Sequence, residues 1–262
     1  MDPNDEGFDL DIFRAASKDL WEDHAQWWQE NFTNGADPEY EEQIIPMAVD
    51  EVEKLGVRSI LDLGVGDGQI SRAIRKRLGE AITIVGVDPA LLQLQSAVAR
   101  GGIDLVVRGE AKKLPFAAES FDAVVACLVF EHVIEFETAI AEVSRILKPQ
   151  GHFLFFLNHP LLQTPGSGFI DDVELVEQYW RIGPYLKEDL SFEEVAKDVF
   201  IPFVHRPLSR YINQMASKGL MVEKMEEPTP PQGFVDKAWE YKFVREIPRL
   251  LYLRARKGQS AT

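Results

Sequence analysis

A chain of 262 residues suits one α/β domain with elaborations or two small domains, and 45% hydrophobic residues are enough to bury a sizeable core. Its 43 Asp and Glu against 28 Lys and Arg leave a formal charge of −15, which repels phosphate backbones and anionic lipid heads and disfavours nucleic acid and membrane surfaces as partners. One cysteine, Cys127, allows no internal disulfide, residues 1–6 are acidic where a secretory signal is basic, and no run reaches the ~20 apolar residues of a membrane span, so a cytoplasmic protein is expected.

The first forty residues are rich in aromatics (Trp21, Trp27, Trp28, Phe32 and Tyr40) and read as one or two helices. Most of those rings are expected in a core. Apolar runs rich in β-branched or aromatic residues then recur at 57–63, 81–87, 103–107, 121–128 and 152–157, each about as long as a buried strand. Helical spacing fills the gaps at 69–78, 90–100 and 137–147, the last ended by Lys148-Pro-Gln-Gly151. Strands alternating with helices of this length predict βαβ units, a parallel sheet and right-handed crossovers. Residues 160–207 show no strand rhythm and carry seven aromatics between Phe169 and Phe203, so a helical or loop cap is expected there. A helix at 208–218, C-capped by Gly219, and strands at 220–225 and 250–256 complete the sheet, with Glu227-Pro-Thr-Pro-Pro-Gln-Gly233 as a loop between them.

The chemistry concentrates at 60–68, ILDLGVGDG. Asp62 closes the first strand, and Gly64, Gly66 and Gly68 let the chain turn tightly and a nucleoside lie against bare backbone. The second strand ends at Asp88, followed by Pro89, where a carboxylate can accept from both ribose hydroxyls. A dinucleotide site wants Gly-x-Gly-x-x-Gly, yet Gln69 holds the final position. Asp62 also points an anion toward the place of a pyrophosphate. A cationic amino-acid end in that place welcomes a carboxylate, so charge favours a sulfonium methyl donor. Packing glycines and a helix-capping Asp88 are the plainer alternatives.

At this point a family resemblance emerges. Residues 56–157 resemble the catalytic core of the class I S-adenosylmethionine-dependent methyltransferases, especially the small-molecule group that includes ubiquinone and menaquinone methylases. The matching segments are ILDLGVGDG (60–68), IVGVDPA (84–90), GEAKKLPFAAESFDAVVA (109–126), LVFEHV (128–133) and RILKPQG (145–151). The resemblance implies S-adenosylmethionine as cofactor and S-adenosylhomocysteine as product. It implies a Rossmann-like, doubly wound seven-stranded sheet, six strands parallel and the last antiparallel, with helices on both faces. Asp62, Gly64 and Gly66 are then expected at the methionine part, Asp88 at the ribose, Glu110 and Ala111 beside the adenine, and Leu128 and Phe130 at the sulfonium. Two positions depart from the family: Glu110 stands for the usual aspartate and Gln150 for a usual glycine. The expected domains are a helical segment over the cofactor site (1–50), the core (51–159 and 208–262) and a substrate cap (160–207).

An alcohol acceptor needs a base working near neutral pH, for which histidine is suited. His132 follows the fourth strand, His159 the fifth, and His205 sits where the cap returns to the core; Glu131 adjoins His132 and is placed to orient it. His24 and His152 are expected to be structural. No cluster of residues reaches metal-site spacing, so no metal is expected. The Asn/Asp-Pro-Pro-Tyr clamp of amino-group methylases is absent after the fourth strand, which reads Leu128-Val-Phe-Glu-His132. The expected activity is methyl transfer to a small molecule, with an oxygen nucleophile favoured, by a monomer or homodimer. A nucleotide-binding oxidoreductase and a non-catalytic cofactor-binding protein are the alternatives.

Overall fold

The computed structural model describes residues 20–33, 36–237 and 244–259. Two short helices, α1 (Leu20–Asp23) and α2 (Ala25–Phe32), precede a π-helical turn (Tyr40–Ile44) and α3 (Ile45–Leu55). The rest of the expected 1–50 segment, residues 1–19 and 34–35, lies outside the described residues. The core then alternates β1 (Ser59–Leu63), α4 (Gln69–Leu78), β2 (Thr83–Asp88), α5 (Leu91–Arg100), β3 (Leu105–Arg108), β4 (Phe121–Cys127), α6 (Phe136–Ile146) and β5 (Leu147–Asn158). Two hairpins follow, β6 (Gly168–Asp172) with β7 (Glu177–Arg181), and β8 (Asp189–Ala196) with β9 (Val199–His205). The chain closes with α7 (Leu208–Ser217), β10 (Leu220–Glu226), α8 (Gln232–Lys237) and β11 (Leu250–Lys257).

Seven strands form one sheet in the order β10-β11-β5-β4-β1-β2-β3, with β11 antiparallel to both neighbours and the other pairs parallel. This is the expected doubly wound topology. Its inner strands β1, β2 and β4, with the second half of β5, are buried on both faces, which explains why they read as continuous apolar runs, whereas the edge strands β3 and β10 are partly exposed. Leu61, Leu63, Val124, Phe153 and Phe155 face α6 and α7, where Ile140, Val143, Tyr211 and Met215 cover them. Ile60, Ile84, Val125, Leu154 and Phe156 face the other way, under Ala48 and Val52 of α3 and Ile70 and Ile74 of α4.

The cap departs from expectation. Residues 160–207 hold two antiparallel hairpins instead of helix and loop. β6 and β7 are at most half-buried, so burial imposes no clear apolar–polar alternation on their sequence. β9 is nearly all buried but contains Pro202, which lacks a ladder donor and argues against a strand. A strand of a two-stranded sheet has one unpaired edge, and that tolerates the proline. No helix among the described residues is long and apolar enough to cross a membrane.

The turn at Lys148-Pro-Gln-Gly151 lies within β5, where Gln150 adopts φ 65°. A side chain in this left-handed region is strained, which explains the glycine usual there in the resembling family. Gln150→Gly is therefore expected to stabilise the protein by ~0.5–1 kcal/mol after the extra chain entropy of glycine is subtracted. Urea unfolding at neutral pH checks this; a lower midpoint contradicts it.

Candidate functional site

The turn after β1 is held from two sides. The amides of Gly64 and Val65 donate to the Val87 carbonyl at 2.8 and 3.0 Å, tying the turn to β2. The Asp88 carboxylate accepts from Gly66 N through Oδ2 and from Ala90 N through Oδ1, both at 2.9 Å. Gly64 and Gly66 take φ 72° and 54°, and a Cβ on Gly64 would lie 2.4 Å from Val129 Cγ2. Glycine is required at position 64 for both reasons. Burial pushes the Asp88 carboxyl up to about 6, against the two amides that favour its charge.

A cavity of about 510 Å³ opens above this turn, within the range typical of cofactor and ligand sites. Its floor comes from the carboxy ends of the parallel strands: Leu63, Gly64 and Gly66 after β1, Val87 to Ala90 after β2, Gly109 to Lys112 after β3, and Cys127 to Val129 after β4. Such strand ends are where open α/β sheets bind ligands, because the loops there part to either face. The segment His132 to Glu135 forms one wall, and Trp21, Trp28, Tyr40 and Pro202 close the cavity from outside the core. Leu128 lines it with φ 54°, a strained conformation for a leucine.

The N-terminal helices are docked by polar contacts. The Glu22 carboxylate accepts from the free amides of Leu91 and Leu92 at the start of α5, and Gln29 donates to Gln93 at 3.0 Å. Trp21 stands edge-on to the His132 ring at 4.8 Å, and Trp28 stacks on Phe32 at 4.2 Å. Trp21 and Trp28, expected in a core, line the cavity instead, Tyr40 is buried in the core at its border, and Lys112 and Pro202 carry no sequence signal for this site. An aromatic-rich segment beside a nucleoside motif is the signal that points to such rings.

Of the expected cofactor residues, Gly64, Gly66, Asp88, Pro89, Glu110, Ala111 and Leu128 line the cavity. Glu110 is largely exposed and pairs with Lys112 at 2.8 Å. Asp62 does not line it: its carboxylate is buried, accepts from the Ser71 hydroxyl at 2.6 Å, and is pushed up to about 6 by burial. Gly68 serves packing at the start of α4, since a Cβ there would meet Ile103 Cδ1 at 2.8 Å. Phe130, which opens a tight turn (Phe130–His132), is fully buried in the core, edge-on to Phe136 of α6 and to Phe153 and Phe155 of β5.

Among the four candidate proton-moving residues, His132 alone lines this cavity. Its Nδ1 sits 2.7 Å from the Pro202 carbonyl, which can only accept, so Nδ1 carries the proton and Nε2 keeps its lone pair. Burial between Trp21 and Phe203 holds its pKa down to about 4. His159 is buried against Glu227 at 2.7 Å, and its Nδ1 accepts from Leu161 N. His205 donates through Nε2 to the Tyr185 carbonyl at 2.8 Å. Both are tied to loops away from the cavity by partners that sequence spacing does not reveal. Glu131 is 2% exposed, accepts from Asn158 Nδ2 at 2.9 Å, and is pushed up to about 7 by burial. It supports the end of β5 instead of orienting His132.

Residues 61–155 match the methyltransferase domain family. A ubiquinone/menaquinone biosynthesis C-methyltransferase of Syntrophotalea carbinolica is 35% identical over 112 residues, 41% of this chain and 46% of that protein. A demethylmenaquinone methyltransferase of Thermus thermophilus is 31% identical over 58% of this chain and 66% of its own length. The chain thus spans about half to two thirds of these relatives. The crystal structure of an S-adenosylmethionine-dependent methyltransferase from Mesorhizobium loti superimposes with a TM-score of 0.67 at 26% identity, covering 81% of this chain and 96% of that one. Residues 61–155 thus form a methyltransferase domain, and by its strand order and these relatives the chain resembles the class I S-adenosylmethionine-dependent methyltransferases, the quinone methylases among them.

Proposed function

We propose that the protein transfers the methyl group of S-adenosylmethionine to a small acceptor that ionises readily, such as a phenol, an enol or a carboxylic acid. The observation that carries this is the cavity beneath Trp21 and Trp28, where the Asp88 carboxylate is fixed by two backbone amides at the end of β2. Asp88 has lone pairs left for the ribose hydroxyls, Gly64 and Gly66 admit the methionine part, and Ala111 with Glu110 borders the adenine. The cofactor supplies an activated methyl carbon. The protein's task is to align the acceptor and exclude water, and the tryptophans of α1 and α2 are the covering elements.

The nature of the acceptor follows from His132. A neutral imidazole held well below its usual range by burial is a poor base for an alcohol, which favours an acceptor that ionises readily over an aliphatic or sugar hydroxyl. It can accept a hydrogen bond through Nε2 from an acid that loses its proton easily. An ionised phenol or enol is nucleophilic at oxygen and at the adjacent carbon, so transfer to oxygen and the carbon transfer named for the relatives share one activated acceptor.

His132→Ala is expected to lower the methyl-transfer rate by ~10–100-fold while leaving S-adenosylhomocysteine affinity within about twofold. Calorimetry and an assay of S-adenosylhomocysteine release, run over matched panels of phenols, quinols, carboxylic acids and aliphatic alcohols, test both statements. Turnover confined to alcohols contradicts the acceptor class. Cofactor binding without turnover on any panel supports a non-catalytic binding protein instead.

A further inference from the structure

The sides of the cavity are attached to the protein in different ways. Its floor is tied by backbone hydrogen bonds, strand to strand and from the glycine turn to β2. The wall from His132 to Glu135 is pinned by the Arg206 guanidinium, which donates to the carbonyls of Val133 and Ile134 within it. The covering helices α1 and α2 lack such ties. Among the described residues, no backbone hydrogen bond joins them to the core. They rest on it through side chains, Glu22 and Gln29 on α5 and Trp21 against the His132 ring. Within the two helices only Ala25 is buried. Elements held by few side-chain contacts open at a lower free-energy cost than the core they cover.

The Glu22 contact shares its footing with Asp88. Three consecutive amides stand at the start of α5: Ala90 N donates to the Asp88 carboxylate, and Leu91 N and Leu92 N donate to that of Glu22. Two carboxylates therefore sit on one turn, and the Glu22 charge adds to the burial that pushes the Asp88 carboxyl up. Like charges this close weaken each other's hold while the site is empty. A ribose whose hydroxyls donate to Asp88 draws that charge toward itself and eases the repulsion. Glu22 then binds the α5 amides more firmly when the site is full.

Taking this cavity as the cofactor site, we propose that α1 and α2 form a lid that opens to exchange S-adenosylmethionine for its product, with Glu22 as the latch and an occupied Asp88 as the signal to close. A ribose at Asp88 strengthens the latch, and the latch slows the escape of the ribose, since a coupling between two contacts acts equally in both directions. Release of S-adenosylhomocysteine waits on the lid.

The test combines hydrogen exchange of peptides spanning residues 20–33 with calorimetry and the dissociation rate of S-adenosylhomocysteine, all on the whole chain. Saturating S-adenosylhomocysteine should slow exchange in these peptides by about tenfold or more, and Glu22→Ala should remove most of that slowing. A fixed wall that merely touches the ligand would keep it. Glu22→Ala should also speed dissociation and weaken affinity, each by about tenfold, and Gln29→Ala should act in the same direction by roughly two- to threefold. In an Asp88→Asn background, where the second charge is gone, Glu22→Ala should change affinity by less than about threefold. Failure of the wild type to bind S-adenosylhomocysteine overturns the cavity assignment and the lid with it. Binding with no slowing of exchange, with the slowing retained in Glu22→Ala, or with an unchanged dissociation rate in that variant overturns the lid alone.

Discussion

Asp88→Ala is expected to weaken binding of S-adenosylhomocysteine by about 100-fold, close to 3 kcal/mol, with the protein still folded. The estimate combines two effects. Hydrogen bonds from ligand hydroxyls to a charged acceptor contribute roughly 1.5–3 kcal/mol, and the same carboxylate holds Gly66 N and Ala90 N in place. Asp88→Asn keeps the shape and loses the charge, so a loss of about tenfold is expected. The pH dependence separates charge from shape. Because burial raises the Asp88 carboxyl to about 6, wild-type affinity should fall as pH drops through 6, and that fall should be much flatter in Asp88→Asn. Stability of the ligand-free protein runs the other way. A carboxyl with a raised folded-state pKa adds stability that is fully present below its unfolded value near 4 and is lost as pH rises through 6. Calorimetric titration and thermal melts between pH 4 and 8 check both signs. Wild-type affinity in Asp88→Ala contradicts the assignment of this site.

Arg206→Met is expected to destabilise the fold by ~3 kcal/mol. The Arg206 guanidinium is buried at the junction of β9 and α7, donates to the carbonyls of Phe130, Val133 and Ile134 at 3.3, 2.8 and 3.0 Å, and lies 4.9 Å over the Phe136 ring. Methionine fills much of the volume but leaves the Val133 carbonyl without a donor and takes the charged donor from the Phe130 and Ile134 carbonyls, which keep only the amides of Val133 and Phe136; one unmet carbonyl, two lost charged hydrogen bonds and the lost ring contact together cost about 3 kcal/mol. Those carbonyls belong to the segment that carries His132 to Glu135, one wall of the cavity. Loss of methyl transfer should therefore accompany loss of stability. Arg206→Lys retains a charge but one compact head group, and should recover roughly half of the difference. Denaturant midpoints give the stability values. A Met variant within about 1 kcal/mol of wild type would show that the wall holds itself.

Much of this protein is legible in one dimension. The alternation of apolar runs and helical spacing gives the doubly wound sheet, because strands buried on both faces leave continuous apolar stretches that local reading detects. The glycine turn and Asp88 are legible for a similar reason. Backbone freedom at Gly64 and Gly66 and a carboxylate at the next strand end are local requirements, written within thirty residues of each other. The cap's hairpins leave no period in sequence because β6, β7 and β8 are partly exposed and the buried β9 carries Pro202.

The histidines mark the boundary most sharply. In sequence, His132, His159 and His205 are all possible bases: the first two follow expected strands, and the third sits where the cap returns to the core. Tertiary structure separates them through partners 20 to 70 positions away, the Pro202 carbonyl, the Glu227 carboxylate and the Tyr185 carbonyl. The same holds for Asp62, whose neighbour Ser71 takes it out of the cavity, and for Trp21 and Trp28, brought over it by the docking of Glu22 onto α5. The composition and order of residues thus determined the sheet and the type of cofactor turn, which rest on short-range geometry. Only the folded chain decided which side chains face the ligand, because that depends on long-range packing with no period in sequence.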